Sequence, residues 1–259
     1  MKNYNEQLDE LFVRWEEKAK ENGHTGFCTD GLMYRGENWE KKVEQKIYYG
    51  KSEGEEDNLW MNAKKRILFL LKDTNNNPDC HNREFRPGAS GSILLHHKNI
   101  AYWLFGILSL NEKNIAPNFD NIDFWNDVFP VFDAVPYAIV NCKKESGGST
   151  ITNEKLSEHI GLYADFIKEE IEILNPDIII CGGGSSKIKD FVKEKIYTDI
   201  EKIDESNNWI YYSKRNDKVV IDSYHPSYWQ IKGGSKSIYE TMMSKYKEFL
   251  DKYPNFLKE

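Results

Sequence analysis

Residues 67–75, Ile67-Leu68-Phe69-Leu70-Leu71-Lys72-Asp73-Thr74-Asn75, decide how this chain is read. Five consecutive apolar residues follow the basic run Lys64-Lys65-Arg66 and end abruptly in polar ones. A short unbroken apolar run of this kind predicts a strand buried on both faces, the habit of parallel sheets. Two further runs repeat the pattern. Tyr137-Ala138-Ile139-Val140 ends in Asn141, and Val219-Val220-Ile221-Asp222-Ser223 leads into Tyr224-His225-Pro226-Ser227. In an open parallel sheet, ligands bind in the crevice at the carboxyl ends of the strands. A carboxylate, an amide and an imidazole are therefore expected to meet in one cleft.

The elements between these runs support the same architecture. Residues 152–174 carry Leu156, Ile160, Tyr163, Ile167, Ile171 and Leu174 at steps of three or four, which predicts an amphipathic helix. Thr152 or Asn153 can cap its start, and Pro176 forbids its continuation. Residues 5–22 and 236–250 show similar stripes, and Asn99 to Leu110 reads as a buried helix. Asp177 to Cys181 predicts a third buried strand. The glycines Gly182-Gly183-Gly184 turn it into a helix near Ile188 to Ile196. They match neither nucleotide-binding fingerprint, so a tight turn is the expectation. Trp209 to Ser213 and Lys218 to Tyr224 predict two paired strands. Strands alternating with helices give a three-layer α/β/α sandwich with a mostly parallel central sheet. Residues 1–66 are expected to form an extension packed on the core, with the α/β/α domain spanning 67–259.

Composition narrows the function. The 259 residues are 39% apolar and 30% charged, with a mean hydropathy of −0.69. No apolar run approaches the roughly 20 residues needed to cross a bilayer. The start, MKNYNEQLDE, lacks the apolar stretch of a secretory signal, so a cytoplasmic location is expected. The net charge of −7 argues against a surface that binds nucleic acid everywhere. Basic residues nevertheless gather after the key strands, at Arg83, Arg86, Lys98, Lys143, Lys144, Lys232 and Lys236. The cysteines Cys28, Cys80, Cys142 and Cys181 form no CxxC pair. No metal site and no cofactor are expected from them, and His96 and His97 receive no role.

Each key residue offers chemistry. Asp73 can orient water or stabilise a cation. Asn141 can read a polar edge with both a donor and an acceptor. Pro226 holds His225 extended, and its imidazole can donate to an oxygen gaining negative charge.

Taken together, LLKDTN, AIVN and HPS, spread over Ile67 to Tyr228, resemble the uracil-DNA glycosylase superfamily. The resemblance implies Asp73 and His225 as catalytic residues, with Asn141, Phe85 and Asn75 at the base. It implies DNA contacts by Ser227, Tyr228 and Trp229, with Trp229 as a wedge, and by Arg86 and Lys143. It departs at Leu71-Lys72-Asp73-Thr74-Asn75-Asn76, where the family's proline is missing and Asn75 replaces the tyrosine that excludes a thymine methyl. The implied activity is hydrolysis of the N-glycosidic bond of a flipped uracil or related base in DNA. A base-binding module without cleavage and a hydrolase acting on free nucleosides or nucleotides are the alternatives.

Overall fold

The computed structural model describes residues 3–33, 40–43, 46–49, 55–74, 94–147, 150–183 and 185–257. In chain order the elements are α1 (Tyr4–Glu21), β1 (Gly31–Leu32), β2 (Glu40–Val43), β3 (Lys46–Tyr49), α2 (Glu55–Met61), β4 (Ile67–Asp73), α3 (Leu95–Leu108), α4 (Phe129–Ala134), β5 (Ala138–Lys143), α5 (Asn153–Leu174), β6 (Ile178–Gly182), α6 (Lys187–Lys195), β7 (Glu201–Asp204), β8 (Asn207–Ser213), β9 (Lys218–Ser223) and α7 (Gly234–Lys252). The fold is mixed α/β. Seven strands form one sheet in the order β1-β5-β4-β6-β9-β8-β7, and β2 and β3 form a separate hairpin.

The sheet is parallel at its centre and antiparallel at both edges. β5, β4, β6 and β9 run parallel, whereas β1 joins β5, and β8 and β7 join beyond β9, in antiparallel pairs. The five apolar residues of β4 are all 2% exposed or less. Alternation divides them between two cores. Ile67, Phe69 and Leu71 face the layer of α3, α4 and α7, while Leu68 and Leu70 face α1, α5 and α6. Burying each such side chain stabilises the fold by about 1.5–3 kcal/mol, which is why no polar residue interrupts the run.

β4 leads to α3 on one face, and β6, its neighbour, leads to α6 on the other. In open α/β sheets, adjacent parallel strands whose following helices lie on opposite faces mark, at their carboxyl ends, the place where ligands bind.

The helices begin and end as their sequences dictate. Thr152 caps α5, its hydroxyl accepting from the Lys155 amide at 3.3 Å, and Asn175 closes it in the left-handed region at φ 42°. Residues 4–33 enter the sheet and its core. Leu8, Phe12 and Trp15 of α1 join the Leu68 core, and β1 pairs with β5. Within residues 23–63 lie β1, the β2–β3 hairpin and α2. β1 is only two residues long, and β7 buries Ile203 alone of its four, so neither carries an apolar run. Among the described residues no helix is long and apolar enough to cross a membrane.

Candidate functional site

Asp73 is the last residue of β4 and lies opposite Lys143, the last residue of β5, in the parallel register. The same register puts Leu71 beside Asn141, so Asn141, Lys143 and Asp73 share the sheet face that carries α3. Burial raises the Asp73 carboxyl above its ordinary pKa, with Lys143 and Lys72 opposing the rise. The Lys143 ammonium donates to the Glu145 carbonyl and, at 3.5 Å, to that of Ser146. Gly147 closes this corner: a methyl group there would stand 3.1 Å from Lys143 Nζ and 3.9 Å from Asp73 Oδ2.

His225 lies two residues beyond β9, half-buried, and its backbone rests on the turn after β6. A methyl group on Gly182 would overlap the Leu71 side chain and stand 3.2 Å from Pro226 Cδ. One on Gly183 would stand 3.1 Å from His225 Cβ and 3.5 Å from Lys72 Cε. Gly183 also has φ +83°, a conformation that glycine adopts without strain. The glycines therefore make the expected turn and also give His225 its seat. The Lys72 side chain passes close to Gly183, and its charge bears on both Asp73 and His225. β4 and β9 are separated only by β6, which puts their ends two strand spacings, about 10 Å, apart.

The hydrogen bonds of His225 define its tautomer. The Ser227 amide donates to Nδ1 at 3.2 Å, and the Ser227 hydroxyl is 2.7 Å from the same atom. A backbone N–H can only donate, so Nδ1 accepts and the proton of the neutral ring sits on Nε2. Burial, with help from His96 and Lys72, lowers the ring's pKa to about 3. His96 lies 5.6 Å away between ring centroids, and burial lowers its own pKa to about 4. Three residues along α3, the Asn99 amide donates to the Pro226 carbonyl at 2.6 Å. Residues three apart share a helix face, so His96 and Asn99 brace the His225–Pro226 segment together. The sequence leaves His96 without a role because the helix legible from the apolar run begins only at Asn99, which puts the histidine in the preceding loop, whereas α3 begins at Leu95 and carries His96 on its first turn.

Asn141 is brought to this end of the sheet but is 5% exposed, and its backbone and side-chain amides both donate to Asp30, at 2.8 and 3.0 Å. Asp30 was not foreseen. Lys144 is corrected: it belongs to no basic surface. It is 1% exposed and donates to Asp30 and Glu170, beneath the rings of Phe12 and Trp15. Burial alone would lower its pKa, but the two carboxylates raise it.

Tyr228 stacks on Tyr224 at 5.2 Å and 10° between planes, and Trp209 meets Tyr224 edge-on. Ser227 is exposed beside them, and Trp229 is 72% exposed. Phe85, Asn75 and Arg86 lie outside the described residues. A separate cleft of about 290 Å³, lined by Asp199, Tyr212 and Arg215 among others, lies at the amino end of β9 and far from these groups.

Compared with models of known protein families and with curated proteins, the chain matches none.

Proposed function

We propose that this chain is an N-glycosidic hydrolase of the uracil-DNA glycosylase type, acting on a uracil or related modified base flipped out of DNA. The observation that carries the reading is the Ser227 amide on His225 Nδ1, which fixes a neutral ring with its proton on Nε2, at the same end of the sheet as Asp73. Breaking the glycosidic bond makes the sugar cationic and the base anionic. A neutral donor aimed at the base oxygen stabilises that charge by about 3 kcal/mol without needing to transfer its proton. Asp73 stabilises the sugar cation and holds the attacking water. Bond cleavage and water addition balance with no further reactant.

Asp30 takes one amide hydrogen of Asn141, which fixes the ring of choices for the rest of that amide: one donor and one acceptor remain to read a base edge. Flipping costs a few kcal/mol. The exposed Trp229 is suited to fill the vacated stack, and the Tyr224–Tyr228 pair to support the displaced strand. Lys72 and Lys143 supply positive charge at the crevice despite the net charge of −7.

The altered loop from Leu71 to Asn76 favours a second reading, recognition of a base without cleavage. A panel of oligonucleotides carrying uracil, hypoxanthine, thymine mismatches and modified cytosines, scored for abasic sites, separates the two. Abasic product from one of them supports hydrolysis. Salt-sensitive binding with no product selects the binding module, and faster release of base from a free nucleoside selects a nucleoside hydrolase.

A further inference from the structure

Three side chains from distant parts of the chain converge behind the loop that follows β5. His24 follows α1, Glu145 follows β5, and His159 lies on α5. One ring nitrogen from each histidine and one carboxylate oxygen of Glu145 all lie within 4.8 Å of one another. The Glu145 side chain is 7% exposed. Neither of its oxygens, nor His159 Nδ1, has a hydrogen-bond partner among the described residues. The nearest ring nitrogens, His24 Nδ1 at 3.4 Å and His159 Nδ1 at 3.3 Å, approach the carboxylate without hydrogen-bond alignment.

A carboxylate buried with no donor is costly, and native proteins rarely leave one so. A divalent cation removes that cost. Two imidazoles and one carboxylate form the donor set of zinc and related transition-metal sites, whereas magnesium and calcium take oxygen ligands. We propose that His24, Glu145 and His159 bind a single first-row divalent transition cation, with zinc the best suited. Ligand atoms at zinc bond lengths stand about 3.4 Å apart, so the cluster closes by about an ångström on binding. His24 has the freedom to make that movement: its side chain is 28% exposed and lines a cleft of about 320 Å³ with Glu16, Lys20, Thr25, Gly26 and Phe27. The cleft is also the ion's way in. The Tyr163 hydroxyl, which accepts from the Asn22 amide at 3.3 Å, stands 2.6 Å from His24 Nδ1, the atom that faces Glu145, so His24 gives up this contact when Nδ1 takes the ion.

The ion's role follows from what it joins. Glu145 accepts the Lys143 ammonium through its carbonyl, and Lys143 bears on Asp73. A cation there fastens α1, the loop after β5 and α5 together, and fixes the corner that holds Lys143 beside Asp73. This assignment does not depend on the hydrolytic reading.

The test uses the whole chain, freed of metal by a chelator. Zinc is titrated calorimetrically and cobalt by its visible absorption, with melting temperature followed in parallel. The expected result is one ion per chain, a melting temperature that rises with zinc, and cobalt absorption typical of low coordination number. His24→Ala and Glu145→Gln should each weaken zinc binding by at least about 100-fold, since losing a ligand outweighs the 10–100-fold cost of changing a residue behind one. His24 is partly exposed and outside the helices, so its variant should keep the wild-type circular dichroism. A wild-type protein that binds no zinc, or binding that survives both substitutions, overturns the site.

Discussion

Replacing His225 with glutamine should change how stability depends on pH. In the folded protein, burial together with His96 and Lys72 holds the ring's pKa near 3, against an ordinary value of 6.5. Between those values the unfolded chain binds a proton that the native state does not. The neutral ring's contribution is therefore fully present above pH 6.5 and is lost as the pH falls toward 3. The full drop in pKa sets a ceiling of about 5 kcal/mol. The ring is only half-buried, and solvent screening reduces the expected effect to about 2 kcal/mol. Urea unfolding of wild type and His225→Gln at pH 7 and pH 4 measures it. Wild type should lose about 2 kcal/mol more than the variant over that interval. His96, also held neutral by burial, is present in both proteins and contributes to both slopes. Equal slopes would show that His225 titrates normally, and the argument for a preorganised neutral donor would fall.

Three further outcomes follow from the packing. Gly183→Ala puts a methyl group 3.1 Å from His225 Cβ at φ +83°, and should cost about 1–2 kcal/mol while displacing His225. Gly161→Ala, on open space in α5, is its control and should be neutral or stabilising by up to about 1 kcal/mol; chemical denaturation of both variants checks the pair, and equal effects would refute the seat. Lys144→Met removes the ammonium that the buried Asp30 and Glu170 share, and should destabilise by about 3–5 kcal/mol in urea. A loss below about 1 kcal/mol would mean that the carboxylates protonate at little cost. Trp229→Ala, at a side chain 72% exposed, should leave stability unchanged but weaken binding to duplex oligonucleotides several-fold, measured by fluorescence anisotropy; unchanged affinity removes it from the DNA contact.

The centre of the fold was legible because its physics is local. Ile67 to Leu71 and Ile178 to Cys181 announce doubly buried strands by continuous apolarity, and the α5 stripe has one face to bury. Asp73 and His225 were legible as site candidates because polar residues at the ends of such strands have one place to go. What escaped was set by pairing at a distance. Asn141 meets Asp30 across 111 positions, and no spacing rule links them. His96 and Asn99 face His225 from a helix whose apolar residues surround them. Gly182 and Gly183 showed their turn in sequence, but not the histidine that would rest on it. β1 and β7 bury too little to leave a pattern, and His24, Glu145 and His159 come from three separate elements.

The central claim is that Asp73 and His225 act together on a glycosidic bond. Single-turnover cleavage of the best oligonucleotide by Asp73→Asn and His225→Ala, alongside wild type, tests it most directly. The account predicts that His225→Ala loses at least about 100-fold in rate, that Asp73→Asn also loses most of the activity, and that both variants keep the wild-type fold and oligonucleotide affinity. Cleavage at the wild-type rate by both variants would contradict it.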